Sequence, residues 1–167
     1  NVAVLGHSAD RFPDSCLRAY DVLVSETGRT PDAGIRDQIR AAARSVFSRR
    51  APVVPGAKET LSALRASGKV LILLTKGDRE VQWRRVCDSG LAEFFDLIEI
   101  VEEKTPETIR AVLAHVGIDV DRAISVGNSV RSDILPSLAA GVQPVWIDAH
   151  VWEYERTHPA FPSDRVI

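Results

Sequence analysis

The sequence has little of what would let a chain act through staples, metals or membranes. Only two cysteines occur, Cys16 and Cys87, and neither stands in a CxxC or Cys/His ligand spacing. That excludes a disulfide framework and a zinc site, and the pair reads as reduced thiols of a cytosol-like compartment. The apolar runs fall far short of the roughly 20 residues a membrane helix needs, and no basic-then-apolar signal segment opens the chain. A net charge of −2 gives no electrostatic case for nucleic acid or an anionic membrane. The four histidines, His7, His115, His150 and His158, are scattered without ligand spacing. The expected setting is cytoplasmic. The pairs Arg49-Arg50 and Arg84-Arg85 read as solvated helix faces, and no internal repeat or low-complexity tract is present.

What remains is ordinary globular material. A chain of 167 residues, 45% apolar and 26% charged, suits one domain or one core with a small appendage. It opens on Asn1 rather than Met and closes on Asp164-Arg165-Val166-Ile167, which reads as a strand just beginning. Both ends are expected to be clipped.

From Pro52 onward, strands and helices alternate. Pro55-Gly56 makes a turn, and a helix over 57–67 carries Leu61 and Leu64 and stops at Gly68. Val70 to Leu74 predicts a strand buried on both faces, ending in Thr75-Lys76-Gly77-Asp78. A helix over 80–89 turns Val81 and Val86 inward, and a short strand covers 96–101. Thr105 caps the next helix, with Pro106 in its first position and Ile109, Val112, Leu113 and Val116 on one face. A strand over 123–126, a helix over 134–140 and a strand over 144–147 complete the pattern. Such alternation predicts an α/β fold, a three-layer, Rossmann-like parallel sheet. Right-handed crossovers place the carboxyl ends of all strands along one edge. Residues 1–52 differ: two helices, over 13–27 and 32–50, are separated by Gly28 and Pro31 and read as a partial helical cap on a core of 53–167.

In open α/β sheets, ligands bind at the carboxyl ends of the strands. Polar residues follow three strands here: Thr75-Lys76-Gly77, Lys104, and Asn128 with Asp133. A phosphate monoester suits them. Thr75 offers a hydroxyl, and Lys76 and Gly77 offer backbone N–H groups, with glycine allowing close approach. Lys104 supplies fixed positive charge. Asp133 offers a hard oxygen ligand of the kind Mg²⁺ takes together with phosphate and water. Taken singly, each residue has an ordinary structural role: Thr75 as a turn residue, Lys104 as a surface lysine, Asp133 as a favourable charge in a first helical turn.

In combination these residues resemble the haloacid dehalogenase (HAD) superfamily of hydrolases. Leu71 to Asp78 resembles its second motif, Lys104 its third-motif lysine, and Val126-Gly127-Asn128-Ser129 through Asp133 its fourth. The resemblance covers Val53 to about Ile147. It implies a phosphatase or related hydrolase acting on a small phosphorylated molecule with Mg²⁺. Thr75 and Lys104 would be catalytic, Thr75, Lys76, Gly77 and Lys104 would hold phosphate, and Asp133 and Asn128 would face the metal. Two departures matter. Asn128 stands where the family usually has an acid, and no Asp-x-Asp, the family's nucleophile motif, follows any strand. Val2 to Leu5 as first strand would put Gly6 and Ser8 where both acids belong. Residues 1–12 are instead expected to lie within the cap, with the nucleophile strand upstream and this chain alone inactive.

The alternative is a non-catalytic HAD-like protein that binds a phosphorylated ligand or a protein partner. A nucleotide-binding Rossmann module lacks its GxGxxG turn here, and a receiver-type domain lacks its acidic cluster. Arg11 and Phe12 are candidate specificity residues in the cap, and His150 and Trp152 are candidate substrate contacts beyond the last strand. Substrate identity and oligomeric state are not legible.

Overall fold

A computed structural model of the chain describes residues 11–50 and 52–149. Val2 to Leu5, His7, His150, Trp152, His158 and the closing segment from Asp164 lie outside the described residues. The molecule divides into two compact units, Asn1–Glu102 and Glu103–Ile167. That boundary falls inside the stretch 53–167 expected to form a single core.

Among its described residues the first unit begins with a helical hairpin, α1 (Arg11–Glu26) and α2 (Ala33–Ser48). Asp32 starts α2 by accepting the Ile35 N–H at 2.9 Å. Leu17 and Ala43 are buried in the hairpin, and Phe12 meets Phe47 edge-to-face at 6.1 Å. Arg36 and Asp21 join the two helices by an ion pair, which holds the guanidinium further toward its charged form. The arginine pairs do more than face solvent. Arg84 donates to the Phe47 carbonyl at 2.5 Å and Arg50 to the Asp88 carbonyl at 2.8 Å. These contacts tie the end of α2 to α4 (Arg79–Ser89), whereas Arg49 and Arg85 are exposed as expected.

After α3 (Ala57–Ala66), β1 (Ile72–Lys76) pairs in parallel with β2 (Leu97–Val101), Ile72 opposite Leu97 and Thr75 opposite Ile100. The Asp96 carboxylate accepts the Leu71 N–H at 2.8 Å and so fixes where the ladder begins. Neither β1 nor α3 is covered as its apolar pattern predicts. Every β1 residue is only half-buried, and α3 has no buried residue, with Leu64 39% exposed. Among the described residues β1 has one hydrogen-bonded neighbour, β2. Val81, Val86 and Phe94 form the buried set beside it.

The second unit contains α5 (Pro106–His115), β3 (Ile124–Gly127), α6 (Leu135–Ala140) and β4 (Gln143–Trp146). β3 and β4 are parallel, with Val126 opposite Val145. Ile109, Leu113, Val130, Ile134, Ala140 and Val142 make its core, and Ile134 is fully buried. Ile124 and Val126 remain 66% and 61% exposed, so one face of β3 is uncovered among the described residues. Thr105 caps α5 as its sequence signature predicts, accepting the Thr108 N–H at 3.2 Å, and Pro106 follows it. Glu107 in the first turn is held below the usual carboxylate range by its own backbone N–H and by the Thr105 hydroxyl. Thr105→Ala is expected to lower stability by about 1 kcal/mol, read as a shift in the urea midpoint with an unchanged slope.

Candidate functional site

Two sequence-predicted residues, Lys104 and Asp133, meet in the second unit through one local device. Between β3 and α6 the chain makes a π-helical turn over Val130–Ile134. Its N-cap, Ser129, accepts the Ser132 N–H on its side chain at 3.1 Å, and its carbonyl accepts from both Asp133 and Ile134. Such a widened turn carries one residue more than an α-turn and re-aims the side chains within it. Here it turns the Asp133 carboxylate back against the end of β3. Oδ2 accepts the Ser129 N–H at 2.9 Å, and Oδ1 accepts from Lys104 Nζ at 2.6 Å. The two side chains are only 17% and 11% exposed, so this ion pair is sheltered and charge-assisted.

Gly127 makes the approach possible. A Cβ there would stand 2.4 Å from the Asp133 Cβ and 2.5 Å from its Cγ and Oδ2. The requirement is one of space, not of backbone conformation, because Gly127 is not among the positive-φ glycines.

Asn128 sits at the same strand end, and its Nδ2 donates to the Ala149 carbonyl at 3.2 Å. Trp146 Nε1 donates to the Asn128 carbonyl at 3.1 Å, and the Ile147 N–H to the Gly127 carbonyl at 2.9 Å. Trp146 was invisible as a site residue in the sequence. Its only signal is an indole N–H at the end of a strand, which needs an acceptor once buried. Among the described residues, no group of three or more His, Cys, Asp or Glu side chains could hold a metal ion. Asp133 is one carboxylate whose oxygens already accept two donors. It fits Mg²⁺ only as a single protein ligand supplemented by phosphate and water.

Thr75, Lys76 and Gly77 lie at the carboxyl end of β1 in the first unit. Gly77 has φ of +129°, a conformation that glycine adopts without steric cost. Its N–H donates to the Val101 carbonyl at 3.0 Å, extending the β1–β2 ladder by one rung. That donor, expected to face phosphate, is thus occupied by the sheet. The Thr75 hydroxyl donates to Gln82 Oε1 at 3.3 Å, a partner the sequence did not single out. Asp78 caps α4 by accepting the Val81 N–H at 3.1 Å.

In the cap hairpin, Arg11 Nε and Nη1 are buried without a hydrogen-bond partner among the described residues, and Phe12 is 46% exposed. A depression of about 250 Å³ where α2 meets α4, lined by Arg49, Arg50, Val53, Val54, Arg85 and Leu91 among others, includes none of the predicted site residues. Cys16 and Cys87 are free thiols, and no helix of the described residues is long and apolar enough to cross a membrane.

Known proteins resemble this chain. The haloacid dehalogenase-like hydrolase family model matches residues 14–141. The chain is 30% identical over 138 residues to a phosphoserine phosphatase of Thermus thermophilus, covering 78% of this chain and 53% of that protein. It is 34% identical over 103 residues to the pyrimidine 5'-nucleotidase YjjG of Escherichia coli, covering 58% and 45%. The crystal structure of a haloacid dehalogenase-like family hydrolase from Xanthomonas campestris superposes with a TM-score of 0.79 at 27% identity, over 100% of this chain and 65% of that one. The chain therefore spans about half the length of the curated relatives it matches. It has the α/β, Rossmann-like fold of those hydrolases. The chain belongs to the haloacid dehalogenase-like hydrolase family.

Proposed function

We propose that this chain is part of a phosphohydrolase acting on small phosphate monoesters, with residues 1–52 contributing to a cap and 53–167 to the core. The observation that carries the reading is the sheltered Lys104–Asp133 pair at 2.6 Å, built at the strand end where the family places its chemistry. Both relatives described above are named for the phosphorylated small molecules they act on, phosphoserine and pyrimidine nucleotides.

In this reading Thr75 donates its hydroxyl to a phosphoryl oxygen, and the Lys76 backbone N–H assists. Lys104 neutralises charge that builds on the transferring phosphoryl group, where catalysis is mostly positioning and electrostatic stabilisation. Asp133 would hold Mg²⁺, with Asn128 beside it contributing no charge. When bound, the metal supplies charge neutralisation at the phosphoryl oxygens. The Asp nucleophile is assigned to a segment outside this sequence, because no Asp-x-Asp follows a strand within it. The two free thiols suit a reducing, cytoplasmic setting.

The test is Mg²⁺-dependent release of inorganic phosphate from p-nitrophenyl phosphate and a panel of small monoesters. A longer chain that includes an upstream strand ending in Asp-x-Asp is expected to turn over, and the 167-residue chain alone to be silent. Turnover by the short chain would show that the nucleophile lies within it. Silence of the longer chain, with phosphate still bound, would favour the non-catalytic binder.

A further inference from the structure

The turn after β1 presents a shortage of donors. A phosphoryl oxygen held there would have the Thr75 hydroxyl and the Lys76 N–H, but the Gly77 N–H is engaged with the Val101 carbonyl at 3.0 Å. The carboxamide of Gln82 lies against this same turn. Its Oε1 accepts the Thr75 hydroxyl at 3.3 Å, and its Nε2 lies 3.2 Å from where a Cβ on Gly77 would stand.

Helical geometry explains the placement. Gln82 belongs to the first full turn of α4, its N–H bonded to the Asp78 carbonyl at 2.9 Å. Side chains in a helix lean back toward its N-terminus. A long polar side chain at that position therefore reaches the loop that precedes the helix. Gln82 is half-buried, and Nε2 has no protein hydrogen-bond partner among the described residues.

We propose that Gln82 is a phosphate-contacting residue of this site: Oε1 stands in for a phosphoryl oxygen when the site is empty, and Nε2 donates to one when it is filled. The inference rests on the phosphohydrolase reading above and deepens it. A hydroxyl has one proton, so Thr75 cannot donate to Gln82 and to phosphate at once. On anion binding the Thr75 proton swings to the phosphoryl oxygen, while the hydroxyl oxygen keeps its capacity to accept. The Nε2 protons then supply the donor that Gly77 withholds. Gly77 is required twice over, for its φ of +129° and because a side chain there would press on Nε2.

The experiment titrates inorganic phosphate into the whole protein by isothermal calorimetry, for wild type, Thr75→Ala, Gln82→Ala and Gln82→Glu, with melting temperatures measured in parallel. Gln82→Ala is expected to weaken phosphate binding about tenfold, the order expected for losing one hydrogen bond to a charged group. Gln82→Glu should weaken it further, because an acceptor-only carboxylate then faces the anion. The melting temperatures should stay within about 2 °C of wild type, as for a surface change that breaks no packing.

If Thr75→Ala weakens binding while both Gln82 variants bind like wild type, Gln82 has no part in the site and the phosphate reading stands. If Gln82→Glu is no worse than Gln82→Ala and both lower the melting temperature, the residue is merely structural and the proposal falls. Should wild type not bind phosphate, or Thr75→Ala bind it equally well, the phosphohydrolase reading of this turn fails and takes the proposal with it.

Discussion

Lys104→Ala is expected to silence the phosphate-ester turnover proposed for the whole protein and, at the same time, to lower its folding stability by about 2–3 kcal/mol. The second effect is the less obvious one. Lys104 immediately precedes Thr105, the N-cap of α5, and so faces the positive end of that helix's dipole. A cation gains nothing from the helix there. What holds it is Asp133, at 2.6 Å, with both side chains mostly sheltered. Removing one partner of a sheltered pair leaves the other charge uncompensated, which costs more than the pair contributes by forming. The loss should fall short of the fully buried extreme because Asp133 keeps the Ser129 N–H at 2.9 Å. A double-mutant cycle with Asp133→Ala separates the two effects. Stability losses should be strongly non-additive, since the second substitution removes the orphaned charge. Additive losses, or full stability in Lys104→Ala, would show that the pair does not contribute to folding and that Lys104 serves chemistry alone.

How much of this was legible in the sequence depends on whether a feature is set locally. The α5 start was readable because Thr105, Pro106 and Glu107 each act on their own first turn. Gly90 and Gly141, just beyond α4 and α6, take the left-handed conformation that closes a helix. Strand β1 was found, but displaced: its ladder runs Ile72–Lys76, whereas the apolar run ends at Leu74. Hydrophobicity marks what can be covered, not where pairing begins. That is fixed by a residue 25 positions away, Asp96, whose carboxylate takes the Leu71 N–H. As a result Thr75 and Lys76 belong to the ladder itself rather than to the loop beyond it.

The site shows the same division. Lys104 and Asp133 are charges in strand-end positions and were found as such, and the structure brings them together. The contact of Gln82 with Thr75 was not legible, because a polar residue within a helical stretch looks like any solvent-facing position until the loop ahead of it is known to fold back. Asn128 was identified for the amide it could turn toward a metal. In the structure Nδ2 is bonded to the Ala149 carbonyl, joining the strand-end loop to the chain beyond β4. The π turn over Val130–Ile134 had no sequence signal at all. In it the Asp133 carboxylate meets the Ser129 N–H four residues back and Lys104 29 residues back, and the second of these is a tertiary contact.

Of the described glycines in the second unit, Gly127 is the one where an added methyl, as in Gly127→Ala, should do most damage. The new Cβ would lie 2.4 Å from the Asp133 Cβ, far inside van der Waals contact. The clash is with the root of the side chain, so no rotamer of Asp133 relieves it. Backbone must move, either at the end of β3 or in the π turn. β3 is held by its ladder to β4, and the turn is pinned by the Ser129 cap and by Lys104. Overpacking of this kind costs about 3 kcal/mol, measurable as a fall in the denaturant midpoint. Any turn displaced enough to fit the methyl also pulls Asp133 from Lys104, so phosphate and Mg²⁺ binding should fall together with stability. The geometry makes a further demand that a generic loss of stability would not. In an Asp133→Gly background, Gly127→Ala should cost little, because the opposing Cβ is gone. In an Asp133→Ala background it should cost nearly as much as in wild type, because that Cβ remains. If the two backgrounds respond alike, the close approach of Asp133 to the end of β3 is not what Gly127 serves.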